Sequence, residues 1–163
     1  MQQHFNGSDF FNRSWEEMSE ELGSVSGDYW LGLDKLHCLT RTGRCRLRIE
    51  LLLANNTQYH DKYSTFRVDR SDRGFKLYVS GLSSGTEMSM FSSQNNSMFS
   101  TYDRDNDESS NIACAVTYGG GWWYRNCYLA GLNSSPNKWF AIYRTTTWVQ
   151  FYLNATRMLL KCT

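Results

Sequence analysis

The chain has 163 residues, a formal net charge of +1 and an aromatic content of 15%. This length suits one domain with a substantial core, and the near-neutral charge argues against nucleic-acid or acidic-membrane partners. No apolar run is long enough to span a bilayer. The N-terminus lacks the basic start and apolar stretch of a secretory signal, which indicates an incomplete chain or an unconventional start.

The first predicted element is a helix in residues 14–23, SWEEMSEELG. Ser14 is a candidate cap, Glu17 its partner in a capping box, and Gly23 a helix end. Apolar residues recur at the helical spacing of three and four: Trp15, Met18 and Leu22.

Four strands are predicted further along the chain. CRLRIELLL, residues 45–53, alternates apolar and polar side chains as a half-buried antiparallel strand does. STFRV (64–68) and FKLYVSGL (75–82) read as two more, joined through DRSDRG. WVQFYLNATRMLL (148–160) reads as one closing strand. Residues 83–110 have poor periodicity but retain Met and Phe, which predicts packed loops of the kind that often carry function.

The segment FSTYDRDNDESS brings four acidic residues together: Asp103, Asp105, Asp107 and Glu108. The D-x-D-x-D spacing begins like an EF-hand loop, but glutamate 108 stands where that loop needs glycine. Carboxylates two positions apart can still offer hard oxygens to calcium. The alternative is a solvated acidic loop, and spacing alone does not separate the two.

Several ordered motifs lie around this segment: NGSDFFNRSWEE, GDYWLGLDKLHCLT, CRLRIEL, FSTYDRDND and the run from Cys114 through the glycines and Trp122-Trp123 to Cys127. Together they resemble the fibrinogen-related domain, the C-terminal globe of fibrinogen chains, ficolins, tachylectins, tenascins and angiopoietins. The resemblance is continuous from about Asn6 to Asn133. It implies an α+β fold with an antiparallel sheet, short helices and a large loop-rich region. It also implies that 1–163 is a single domain without the family's opening subdomain, with a shortened, divergent segment from about residue 134.

The resemblance implies a calcium ion at the acidic loop. The family's second and third aspartates provide side-chain ligands, here Asp105 and Asp107, and backbone carbonyls complete the shell, here near Ser109 and Asn111. Asp103 would orient these ligands. Two departures affect the carbonyls: the family's glycine in this loop is absent, and the interval to the next cysteine is one residue longer.

The five cysteines suggest a disulfide framework. The resemblance implies a bond between Cys114 and Cys127. Cys38 and Cys45 flank the turn Thr42-Gly43, so we predict a cross-hairpin disulfide, with two free thiols as the alternative. Cys162 is then left free, bonded to another chain, or paired outside this sequence.

The family's lectins hold acetyl groups of N-acetylated sugars in a pocket beside the calcium site. Its floor depends on a cis peptide that corresponds here to Asn126-Cys127. Tyr118 and Tyr128 match lining positions, and the alternative for each is core packing with a satisfied hydroxyl. For Trp122-Trp123, core packing is the prediction.

We therefore expect a secreted, calcium-stabilised recognition module that binds acetylated or related glycans, as innate-immune lectins do. The alternative is a protein-interaction domain of tenascin or angiopoietin type with an extracellular receptor. Homo-oligomers would form through regions outside this chain. The three histidines lie in no metal or triad signature, so no enzyme is predicted. Six N-x-S/T sequons support an extracellular glycoprotein: Asn6, Asn12, Asn55, Asn95, Asn133 and Asn154.

Overall fold

The computed structural model describes residues 1–5, 9–85, 91–127, 131–134, 140–144, 147–151 and 153–163, with the backbone alone for 140–144 and 147–151. The helices are α1 (Trp15–Ser19), α2 (Leu33–Thr40) and α3 (Cys114–Tyr118). The strands are β1 (Gln2–His4), β2 (Leu22–Gly23), β3 (Tyr29–Trp30), β4 (Cys45–Leu53), β5 (Gln58–Val68), β6 (Leu77–Gly85), β7 (Phe140–Arg144), β8 (Thr147–Phe151) and β9 (Leu153–Cys162).

The described strands form a seven-stranded sheet of order β2-β3-β1-β9-β4-β5-β6 and a two-stranded sheet of β7 and β8. Every pairing among them is antiparallel. The predicted α+β class with an antiparallel sheet is therefore confirmed. None of the helices in these residues has the length and hydrophobicity needed to cross a membrane.

Strand β4 follows the predicted alternation. Its odd-numbered residues are buried and its even-numbered ones are at least partly exposed. The buried set packs into the core: Cys45, Leu47, Ile49, Leu51 and Leu53. Period-two burial of this kind sets the register, because a slip of one residue would turn these side chains to the solvent face.

The predicted strands β5 and β6 are also present, and both are longer than their apolar patterns suggested. A 3₁₀ turn, Ser71–Arg73, lies between them and ends at Gly74 with φ 64°. This left-handed conformation suits glycine, which has no Cβ to clash.

The prediction of one closing strand is wrong, because residues 148–160 are divided between two sheets. Strand β8 pairs with β7, whereas β9 pairs with β1 on one side and β4 on the other. Met158 lies opposite both Gln2 and Ile49. The C-terminal strand thus occupies the middle of the large sheet, a pairing across more than a hundred residues that local periodicity cannot reveal.

The predicted Cys38–Cys45 disulfide is wrong as well. Cys45 is bonded to Cys162, which lies directly opposite it in the β4–β9 ladder. Cys38 has an exposed thiol and belongs to helix α2, so no hairpin brings it across from Cys45. The order of strands, with β9 beside β4, decides this pairing.

Helix α1 begins as predicted and ends early. The Ser14 hydroxyl accepts from the backbone N–H of Glu17, whose carboxylate accepts from the backbone N–H of Ser14. The helix stops at Ser19 rather than near Gly23, because Leu22 and Gly23 pair with β3. Tertiary strand pairing outweighs the local helical pattern here.

Aromatic rings fill the core between the sheet and the loops. Trp123 lies 5.0 Å from Phe99, 5.4 Å from Trp122 and 6.1 Å from Trp30 between ring centroids. Its indole N–H donates to the carbonyl of Phe75 at 2.8 Å. Core packing of both tryptophans 122 and 123 is confirmed, since both are fully buried.

The predicted packed loops are present in the described part of 83–110, after β6 has ended at Gly85. A 3₁₀ turn covers Ser92–Gln94, and Phe91 and Phe99 are fully buried. These rings anchor a segment that has almost no ladder hydrogen bonds of its own.

Candidate calcium and ligand site

The acidic loop is organised around the carboxylate of Asp107. Its Oδ1 accepts from the backbone N–H of Ser109 and its Oδ2 from that of Cys114, both at 2.8 Å. The Asp105 carboxylate accepts from the backbone N–H of Asp107 at 3.2 Å. The predicted side-chain ligands Asp105 and Asp107 therefore lie together at the start of one tight turn.

Burial raises the pKa of Asp107, and the neighbouring Asp105 carboxylate raises it further, while the two backbone N–H donors act in the opposite direction. Each carboxylate oxygen has a second lone pair available after accepting one hydrogen bond. A paired, partly buried set of hard oxygens is the donor chemistry that calcium prefers. The side chains of Asp105 and Asp107 thus fit this ion.

Two sulfur atoms also lie close to this carboxylate. The ligand atoms of Asp107, Cys114 and Cys127 are all within 4.8 Å of one another. Both sulfurs belong to the Cys114–Cys127 disulfide, which confirms the pairing implied by the resemblance. A disulfide offers no thiolate to a metal, so the oxygens are the available ligands in this group.

The other predicted calcium-site residues differ in their positions. Ser109 is half-buried beside Asp107, whereas Asn111 is exposed, with its side-chain oxygen 3.4 Å from the Ser110 hydroxyl. Carbonyl ligation by Ser109 and a neighbour near Asn111 stays a prediction.

Asp103 contacts helix α1 in the described residues, and its orienting role at a bound calcium stays a prediction. Its Oδ1 accepts from the backbone N–H of Trp15 at 2.9 Å and from the Thr101 hydroxyl at 2.7 Å. Asp103 therefore attaches the acidic loop to the first turn of helix α1. The Arg104 guanidinium lies 4.2 Å from the Trp15 ring centroid and reinforces the same junction.

Arg125 is a residue that the sequence did not single out. Its Nε lies 3.0 Å from a carboxylate oxygen of Glu108, and its carbonyl accepts from the backbone N–H of Glu108. These contacts hold the acidic loop against the segment that leads to Cys127. The sequence signal that could have identified Arg125 was its position two residues before Cys127.

The predicted lining residues are only partly covered by the described structure. Tyr118 ends helix α3, is half-buried, and has its ring centroid 6.4 Å from that of Tyr124. Asn126 is exposed and Cys127 is buried. Tyr128 lies outside the described residues.

The expected cis peptide at Asn126-Cys127 is wrong, since no peptide bond in the described residues is cis. Cys127 instead has a φ of 57°, a left-handed conformation that is uncommon for a residue with a side chain. The sharp turn of the chain into the disulfide is made by this torsion.

Tyr124 is a second residue that the sequence analysis did not identify, and its buried ring lies next to that of Tyr118. It is buried, its hydroxyl donates to the Gly120 carbonyl at 3.0 Å, and burial raises its pKa. Three apolar side chains lie exposed close by in sequence: Tyr102, Ile112 and Val116. The site therefore combines a polar turn and a disulfide, with exposed apolar side chains in the neighbouring sequence.

Comparisons with known proteins identify the family and the fold of the chain. The family model described as the C-terminal globular domain of fibrinogen beta and gamma chains matches residues 1–158. The chain is 38% identical to Ryncolin-4 of Cerberus rynchops over 137 residues, 84% of this chain and 39% of that protein. It is 40% identical to the human fibrinogen alpha chain over 148 residues, 82% of this chain and 17% of that protein. Fibrinogen-like protein A of Apostichopus parvimensis is 40% identical over 134 residues, 81% of this chain and 47% of that protein.

The chain thus spans less than half the length of these curated relatives. Among solved structures, the fibrinogen-like globe domain of human ANGPTL2 has a TM-score of 0.85 at 28% identity, covering 99% of this chain and 78% of its own. The lamprey fibrin D-dimer in complex with the peptide Gly-His-Arg-Pro-amide has a TM-score of 0.80 at 27% identity, covering 98% and 59%.

Proposed function

Because the chain belongs to the fibrinogen C-terminal globular domain family, we propose that it is an extracellular recognition module that binds acetylated glycans beside a calcium-stabilised loop. The observation that carries this proposal is the position of Asp107, whose carboxylate contacts the backbone of Cys114 and lies within 4.8 Å of the disulfide to Cys127. Ordering of the acidic loop is thereby coupled directly to the segment that would line the ligand pocket.

Calcium would be held by the side chains of Asp105 and Asp107, with carbonyls near Ser109 and Asn111. When bound, it supplies positive charge that offsets the repulsion between the two carboxylates. The protein's own residues then do the positioning: the disulfide and the Glu108–Arg125 ion pair hold the two segments together. Two disulfides in a chain of this size also suit a secreted protein.

The proposed pocket would use Tyr118, Asn126, Cys127 and Tyr128. An aromatic wall suits an acetyl methyl group, and backbone N–H groups suit its carbonyl oxygen. Tyr118 supports this role because it is half-buried, and its ring is stacked at a tilt near the buried Tyr124. A half-buried ring can contact a ligand without rearrangement of the core.

Isothermal titration with N-acetylglucosamine, in calcium and after chelation, tests the proposal. We expect heat of binding in calcium, its loss in Tyr118→Ala, and its retention in Tyr29→Ala, a matched control because Tyr29 is equally half-buried but lies on strand β3 of the large sheet. Absence of heat from a folded, calcium-loaded protein would contradict the glycan proposal.

A peptide or protein ligand is the second candidate, and the exposed apolar side chains Tyr102, Ile112 and Val116 favour it. Exposed apolar side chains of this kind can serve as the apolar core of a protein interface. The lamprey structure similar to this chain contains a short peptide. Titration with Gly-His-Arg-Pro-amide tests this candidate: heat that is lost in Ile112→Ser/Val116→Ser but kept in Tyr118→Ala would support it over the glycan.

A further inference from the structure

The side of the sheet that faces away from the core has a concentration of positive charge. On β4, β5 and β9, buried residues alternate with residues that point outward. Six of the outward residues are cationic. One of them, Arg67, lies beyond the others on β5 and is paired with Asp69. The other five we name the basic face: Arg46, Arg48, Lys62, Arg157 and Lys161. The whole chain has a net charge of only +1, so this charge is strongly localised.

The strand register places like charges directly opposite one another on this face. Arg46 is paired with Lys161 across β4 and β9, and Arg48 with Lys62 across β4 and β5. Directly opposed side chains in an antiparallel sheet have Cβ atoms about 5 Å apart, and like charges at that spacing are destabilising. Two such pairs side by side form an array that a polyanion would neutralise.

One acidic side chain lies within the basic face. Glu50 is 2.6 Å from Arg48 Nε and 4.0 Å from Arg157 Nη1. In the part of the chain that the structure describes, no carboxylate lies within ion-pair distance of Arg46, Lys62 or Lys161. The positive charge therefore exceeds what the protein itself neutralises.

The basic face is accessible to a large ligand. Arg46 and Lys161 are exposed, and the side chains of Arg48 and Arg157 are 40% and 43% exposed. A shallow depression of about 250 Å³ adjoins it and is lined in part by Arg48, Arg157 and His60. A ligand could thus contact cations on three neighbouring strands at once.

We propose that the basic face binds a sulfated linear polysaccharide. Directly opposed cations lie about 5 Å apart in the pairs Arg46–Lys161 and Arg48–Lys62, and Arg46 and Arg48 lie about 7 Å apart along β4. This cluster suits closely spaced sulfates along a chain. The residues between them on β4 and β9, Glu50 and Leu159, are not aromatic. Because the rings of Phe5 and His60 line the adjoining depression, a nucleic acid that stacks its bases on rings is the competing ligand, and the test below separates it from a sulfated polysaccharide. This site is separate from the proposed acetyl pocket and does not depend on it.

Titration of the whole chain with a size-defined heparin oligosaccharide at several salt concentrations tests the proposal. Arg46→Gln/Lys62→Gln/Lys161→Gln should weaken binding at least about tenfold at low salt. It should also lower the slope of log Kd against log salt by about one per cation removed, as for other linear polyanions. The control Arg13→Gln/Arg70→Gln/Arg73→Gln removes three exposed arginines elsewhere and should retain binding.

The variant Glu50→Gln makes the test sharper. Removal of the carboxylate that partly neutralises Arg48 and Arg157 should tighten heparin binding several-fold, a gain that loss of structure cannot produce. Circular dichroism and thermal melting establish that each variant is folded.

Four results would overturn the proposal: no binding of heparin by the folded protein, equal losses in the two triple variants, equal binding of the unsulfated polysaccharide with the same backbone, or tighter binding of duplex DNA or of phosphatidylserine vesicles. Retention of heparin binding in Tyr118→Ala and after calcium chelation would support a site distinct from the proposed pocket.

Discussion

Strand β4 is hydrogen-bonded along its length to β5 on one side and β9 on the other, whereas residues 99–127 contain only two isolated bridges, Ser100–Trp122 and Thr101–Arg104. In the sheet, the backbone satisfies itself and apolar side chains supply the stabilisation. In the loop region, side chains also bond to the backbone: Asp103, Asp107 and Asn106 each contact main-chain groups. Buried rings hold both regions in the core, but backbone hydrogen bonding is repetitive in the sheet and depends partly on individual polar side chains in the loop region.

Removal of each disulfide in turn should distinguish the sheet from the loop region by its effects on stability and calcium affinity. By chain entropy, loss of Cys45–Cys162, which spans 117 residues, costs about 5 kcal/mol, and loss of Cys114–Cys127, which spans 13, costs about 3 kcal/mol. We expect only the second double Cys→Ala variant to lose calcium affinity. Guanidinium unfolding and calcium titration measure both effects, and equal calcium affinities in the two variants would contradict the coupling of disulfide and loop.

Ile49→Ala should affect the sheet alone. The side chain is fully buried on β4, so its truncation should lower the free energy of unfolding by about 2–5 kcal/mol. Arg46→Ala, on the exposed face of the same strand, should change it by less than about 0.5 kcal/mol. Calcium affinity should be unchanged in both variants, and a large decrease in Ile49→Ala would mean that the two regions are not energetically separable.

Calcium removal should affect the loop region. At a calcium concentration 100 times the Kd, binding to the native state adds about 2.7 kcal/mol, or roughly 8 °C in Tm for a chain of this size. Asp107→Asn should abolish this increment, and Asp34→Asn, at an exposed position on α2, should preserve it. Differential scanning calorimetry with and without chelator measures the shift; identical Tm values would exclude calcium stabilisation.

The sequons should differ in glycan occupancy according to their exposure. Asn55 is exposed in the β4–β5 turn, where its side chain accepts from the backbone N–H of Thr57. Asn133 is 1% exposed and donates to the Gly121 carbonyl at 3.0 Å. We expect a glycan on Asn55 and none on Asn133 after secretion from eukaryotic cells. Peptide mass spectrometry, with Asn55→Gln as control, measures occupancy; a glycan on Asn133 would contradict its buried position.

The parts of the fold that were predictable from the sequence depend on short-range patterns. The alternation along β4 and the Ser14–Glu17 capping box are both present. The pairing of Cys114 with Cys127 was implied by the family resemblance and is confirmed. Prediction failed at Cys38 because a cysteine beside a turn signal resembles a hairpin, while the structure places it in α2.

Within the candidate site, the sequence identified the carboxylates but not their contacts. Asp105 and Asp107 are recognisable from spacing and resemblance. The attachment of Asp103 to Trp15, and of Glu108 to Arg125, joins residues that are far apart in the chain. No local pattern specifies such pairs.

The sequence by itself determined which strand faces are buried, where helix α1 begins, and that acidic side chains cluster in one loop, because each follows from neighbours within a few residues. Only the tertiary structure decided that β9 inserts between β1 and β4, that Cys45 meets Cys162, and that cations gather on one face of the sheet. These features depend on the order and register of strands distant in sequence, and the free energy that sets them comes from packing of the whole core.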